Sequence, residues 1–137
     1  MKQLNHQETP IKNHDNQIVL ICDDVENADN IGMILRVADG FGVQKVMFKS
    51  ETKELSKKSK RVSRSAYERI EFEFLSSLGQ HINDYKEAGY HIVAVELTNE
   101  SIDLRKFDCG AMDKIVIIIG NESRGYLQIF WHYVMRQ

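Results

Sequence analysis

The chain has 137 residues, a hydrophobic fraction of 42%, a charged fraction of 28% and a formal net charge of −2. These are the values of one globular domain, large enough to bury a core without disulfides or a structural metal. The net charge does not by itself suggest a nucleic-acid protein. The longest apolar run, Ile115–Ile119, is far short of the ~20 residues that a membrane-crossing helix needs.

Met1–Asn16 is a polar lead-in holding the only proline, Pro10, and no apolar signal-peptide core. Ile18–Cys22 is a continuous apolar run ended by Asp23-Asp24, the pattern of a strand buried on both faces in a parallel sheet. Asn30 is the expected N-cap of a helix with Ile31, Ile34, Leu35 and Ala38 at helical spacing, stopped by Gly40 and Gly42. Val46–Phe48 reads as a second strand. Lys49–Arg64 has no period and reads as a loop with room for one helical turn. Ile70–Phe74 alternates as a third strand, Ser76–Ala88 carries a helical pattern closed by Gly89, Ile92–Val95 is a fourth strand, and Val116–Ile119 a fifth. Strands alternating with helices predict an α/β fold with a mainly parallel sheet and helices on both faces. In such sheets ligands bind beyond the carboxyl ends of the strands.

Three segments are placed to carry chemistry. Asn27–Arg36 follows the first strand: Gly32 permits close approach to the first helical turn, and Arg36 is a cation among apolar neighbours. A capped amphipathic helix with a solvated arginine accounts for the same residues. Gly120–Gly125 follows the fifth strand, and its paired glycines around Glu122 suit a tight loop that offers backbone N–H groups. A simple turn would also use them. No Gly-rich phosphate loop of the P-loop or dinucleotide type is present. The third segment is basic. Between Lys45 and Arg69 lie Lys49, Lys53, Lys57, Lys58, Lys60, Arg61 and Arg64, opposed only by Glu51, Glu54 and Glu68. Cations with interleaved serines suit nucleic-acid phosphates, as well as a solvated loop. Cys22 and Cys109 form no C-x-x-C pair and the five histidines have no ligand spacing, so a reduced, cytoplasmic protein without metal is expected.

In this order the segments resemble the SpoU-type (TrmH-like) RNA methyltransferases of the SPOUT superfamily. The first family motif is matched by Asn30, Gly32, Arg36, Phe41 and Gly42, the middle Ser-x-x-Ala by Ser63–Ala66, and the second motif, an apolar strand with Gly-x-Glu-x-x-Gly, by Ile115–Gly125. The resemblance implies a SPOUT-type α/β knot fold, S-adenosylmethionine as methyl donor, tRNA or rRNA as partner, a homodimer, and 2′-O-methylation of ribose. It makes Arg36 the residue acting on the 2′-hydroxyl, with Asn30 and Glu122 beside it. It puts the cofactor at Glu96, Leu97, Gly120, Asn121, Glu122 and Gly125, and RNA at Lys57, Lys58, Lys60, Arg61, Arg64 and Arg124.

The third family motif, a proline-containing strand followed by Ser-Leu-Asn, has no counterpart. After Gly125 the chain reads YLQIFWHYVMRQ. The expectation is therefore a lead-in over 1–16, an incomplete methyltransferase domain over 17–125 and an aberrant tail over 126–137, with the knot unfinished by truncation or a frameshift. A non-catalytic RNA-binding or interaction remnant of that fold is the alternative. A nucleotide-binding α/β domain is a third reading, weakened by the missing phosphate loop.

Overall fold

The computed structural model describes residues 14–95 and 101–120. In chain order the elements are β1 (Gln17–Asp23), α1 (Ala28–Gly40), β2 (Lys45–Lys49), α2 (Lys57–Ser63), β3 (Glu71–Leu75), α3 (Gly79–Glu87), β4 (His91–Val95) and β5 (Lys114–Ile119). Single 3-10 turns lie at Ala66–Glu68 and Leu104–Lys106. The strands form one sheet in the order β3-β2-β1-β5-β4, with every pairing parallel.

Alternation along the strands divides the core in two. Val19 and Ile21 of β1, Met47 of β2, Ile92 of β4 and Val116 and Ile118 of β5 pack with Leu78 and Ile82 at α3. On the opposite face Cys22, Val46 and Phe48 pack with Ile31, Leu35 and Ala38 of α1. The central strands are thus apolar at successive positions because both faces are covered. Helices on the two faces and an all-parallel sheet agree with the expected α/β fold.

Covering is incomplete on the α1 face. Val93 and Ile117 are cross-strand partners there and only partly buried, and Val95, partner of Ile119, is 59% exposed. Among the described residues no helix lies over these positions. The knot, the tail and the rest of the second motif fall outside the described residues.

Two expectations are corrected. The residue that caps α1 is Asn27, not Asn30. The Asn27 Oδ1 accepts from the N–H groups of Asp29 (2.9 Å) and Asn30 (3.2 Å), so the helix begins at Ala28. The basic stretch, read as a loop, contains the two-turn helix α2, capped by Ser56, whose Oγ accepts from the Ser59 N–H at 3.0 Å.

Candidate RNA interface and reaction site

β1 and β5 are neighbours, with Cys22 opposite Ile119. From β1 the chain moves to β2 on one side, whereas β5 is flanked by β4 on the other. Their carboxyl ends therefore border the point where strand order reverses, which is where open parallel sheets form a ligand crevice. Asp23 and Gly120 directly follow the Cys22–Ile119 pair at the ends of the two strands.

The turn after β1 is fastened to β2. Lys49 Nζ lies 2.8 Å from an Asp23 oxygen and 3.0 Å from one of Asp24, and the Asp24 N–H donates to the Lys49 carbonyl. Asp24 is held at φ 55°, in the left-handed region. Lys49 is raised: burial lowers its pKa, and the two aspartates outweigh that. Next along, the Glu26 carboxylate accepts from the Ser50 hydroxyl (2.9 Å), the Glu51 N–H (2.7 Å) and the Thr52 hydroxyl (3.3 Å). Burial pushes the Glu26 pKa up, but bonds from Glu51, Ser50 and Thr52 leave it below the usual glutamate value. Sequence reasoning missed Glu26. Its only signal is a carboxylate between a strand end and a helix cap.

From this anchored turn α1 presents a solvent face. Asn30, Met33, Arg36 and Val37 are exposed on it. Among the described residues no hydrogen bond or ion pair occupies the Asn30 side chain or the Arg36 guanidinium, so both are available to a ligand. Gly32 is buried, and what approaches it closely is α2: a Cβ there would stand 2.6 Å from the Ser59 carbonyl oxygen and 2.7 Å from Val62 Cβ. The Ser59 hydroxyl donates to the Ala28 carbonyl at 2.9 Å, and Lys58 pairs with Asp29 at 2.7 Å. Asp29, Gly32 and Arg36 follow at spacings of three and four and lie on one strip of α1. Arg36 is thus about one helical turn, ~5.4 Å, beyond the contact with α2.

α2 presents Lys57, Lys58, Lys60, Arg61 and Arg64 to solvent while burying Ser59 and Ser63. The structure therefore packs the helix of the basic stretch against the helix that carries Arg36. Of the other expected site residues, Gly120 follows β5 in open space, with nothing within 4 Å of a Cβ built on it. Glu96, Leu97, Asn121, Glu122, Arg124 and Gly125 lie outside the described residues. Burial raises the Cys22 thiol to about 12, so it stays protonated and is no nucleophile near neutral pH. Among the described residues no group of three His, Cys, Asp or Glu side chains could hold a metal, and no helix is long and apolar enough to cross a membrane.

Residues 17–131 match the SpoU rRNA Methylase family. The chain belongs to that family. It is 36% identical over 108 residues to a protein from Staphylococcus saprophyticus that carries the name of a TrmH family tRNA/rRNA methyltransferase, a match covering 78% of this chain and 42% of the relative. It is 23% identical over 124 residues to the tRNA (guanosine(18)-2'-O)-methyltransferase of Aquifex aeolicus, covering 90% of this chain and 58% of that one. The crystal structure of the SpoU methyltransferase AviRb from Streptomyces viridochromogenes in complex with the cofactor AdoMet shares the fold. Its TM-score is 0.70 at 23% identity, over 95% of this chain and 51% of that one. The chain thus spans about half the length of the relatives it matches.

Proposed function

We propose that this SpoU-family chain serves S-adenosylmethionine-dependent methylation of a ribose 2′-hydroxyl in tRNA or rRNA. The observation that carries the reading is the position of Arg36: exposed on α1, the helix that follows β1, and one turn beyond the contact of α1 with the cationic helix α2. Family membership and the names of the relatives support it.

A guanidinium has a pKa above ~12 and is a poor base. Arg36 acts electrostatically, holding a phosphate beside the target ribose and stabilising negative charge as it develops on the 2′-oxygen. Asn30, on the same solvent face, donates to or accepts from the ribose. Lys57, Lys58, Lys60, Arg61 and Arg64 supply phosphate contacts that position the RNA without reading its sequence, and Arg124 extends that set. The cofactor, when bound, supplies an electrophilic methyl group. The open position at Gly120 and the exposed Val95 at the neighbouring strand end suit an adenosine laid against backbone and apolar surface. The family resemblance assigns Glu96, Leu97, Asn121, Glu122 and Gly125 to the same cofactor site. The protein works in the cytoplasm as a homodimer and without a metal.

The test is isothermal calorimetry with S-adenosylmethionine, followed by transfer of labelled methyl to tRNA transcripts and alkaline digestion, which 2′-O-methylation blocks at the modified linkage. Binding and an alkali-resistant dinucleotide are expected. Arg36→Lys, which replaces the planar fork with a point charge, should lose most turnover. The second reading, an RNA-binding module without catalysis, rests on the cationic face of α2. It predicts RNA retention that falls steeply with salt and no heat with the cofactor.

A further inference from the structure

α2 is fastened far more firmly than a patch of counter-charge requires. At one end the buried Ser59 donates to the first turn of α1 and sits 2.9 Å from the Ser56 hydroxyl. Gly32 removes the Cβ that would hold the helices apart. At the other end Arg64 and Ser65 both adopt left-handed backbone, at φ 49° and 66°, between the fully buried Ser63 and Ala66. Left-handed backbone at non-glycine residues is unfavourable and persists only where surrounding packing imposes it. Attraction of phosphates alone would be served by a solvated loop, because that interaction is long-ranged and indifferent to geometry.

We infer that Ser59 is a positioning residue: its hydroxyl, bonded to the Ala28 carbonyl, sets the register between the phosphate-holding face of α2 and the strip of α1 that carries Arg36. The Lys58–Asp29 pair is a second, surface tether in the same direction. This inference rests on the RNA reading above and deepens it. RNA held by Lys57, Lys60, Arg61 and Arg64 is thereby delivered to Arg36 at one fixed distance, and a small misplacement of the reacting group costs far more rate than affinity.

Ser63 provides the control. It is as buried as Ser59 and lies on the same helix, but its hydroxyl donates to Lys60 of its own turn at 2.7 Å and not to α1. Amide hydrogen exchange is followed at α1 and α2 in the full chain, free and with unmodified tRNA transcripts, for the native protein, Ser59→Ala, Ser63→Ala and the surface variant Asp29→Asn. In the native protein and Ser63→Ala, tRNA should slow exchange on both helices. In Ser59→Ala, protection should persist on α2 and fall about tenfold on the first turns of α1. Asp29→Asn should show a smaller loss of the same kind, and it decides the question if Ser59→Ala does not fold. The inference is overturned if Ser59→Ala and Asp29→Asn behave as native, or if Ser63→Ala reproduces Ser59→Ala, which would make the role merely structural. If tRNA protects neither helix of the native protein, the RNA reading itself fails and this inference goes with it.

Discussion

A methyl group on Gly32 would stand 2.6 Å from the Ser59 carbonyl oxygen and 2.7 Å from Val62 Cβ, both parts of α2 that cannot turn aside. In an isolated helix Gly→Ala gains about 1 kcal/mol. Here the overpacking outweighs that gain, and Gly32→Ala should destabilise the domain by about 1–3 kcal/mol in urea unfolding. Ser65 presents the opposite case. Held at φ 66°, it sits where glycine carries no Cβ penalty. Ser65→Gly should raise the urea midpoint by up to about 1 kcal/mol of stability without changing the slope. The sequence signals a close approach at Gly32 but leaves its partner open, and the partner is a neighbouring helix. The cap is ambiguous in the sequence for a similar reason. Asn27 and Asn30 are equally good caps by type, and counting back from Ile31 selects the nearer one. The helix starts at Ala28 because the Asn27 carboxamide reaches two N–H groups at once. Asn27→Ala should therefore cost about 1 kcal/mol, whereas Asn30→Ala should cost little stability.

Elements differ in legibility according to what they bury. β1 is plain in the sequence because a strand covered on both faces must be apolar at nearly every position, as QIVLICD is; β5, KIVIII, is as apolar although its α1 face is only half-buried. α2 is hidden in the sequence because its fully buried positions are two serines, and its contact with α1 is Ser59 and Val62 against a glycine and a backbone carbonyl. Hydrophobic periodicity cannot register such a contact, and five cations within eight residues look like a solvated loop. The Glu26 clamp between the β1–α1 and β2–α2 connections is likewise silent in a single sequence, because it joins residues 24 and 25 positions apart. Its consequence is a pH dependence. The folded pKa of Glu26 lies below the ordinary value of about 4.5 despite burial, because the Glu51, Ser50 and Thr52 bonds favour the carboxylate. The clamp therefore contributes its full stability above that ordinary value. The contribution is lost as pH falls through the lower, folded value. Thermal unfolding of the native chain and Glu26→Gln between pH 3 and 7 should show the two curves converging at the acid end. Parallel curves would remove Glu26 from the account of acid stability.

At the scale of the whole molecule, the order β3-β2-β1-β5-β4 sets the end of β1 beside the end of β5, far apart in sequence, and among the described residues large apolar side chains stay exposed. α1 exposes Met33 at 47% and Val37 at 51%, its C-cap Phe41 is 72% exposed, the three at spacings of four, and the α1 face of β4 exposes Val95. Large exposed apolar surface marks association sites in soluble domains. The homodimer proposed above would use this stripe; Arg36 lies to one side of it, about 100° around the helix from Val37, and would stay open to RNA. Two identical stripes of Met33, Val37 and Phe41 brought together by a two-fold axis are self-complementary, and a carboxylate introduced at Val37 would be desolvated without a partner. Val37→Glu keeps a good helix former on an exposed position, so α1 should persist, with circular dichroism unchanged. In sedimentation velocity at micromolar concentration the native chain should run as a dimer and Val37→Glu as a monomer. A native monomer, or a variant that still dimerises, would move the contact away from α1.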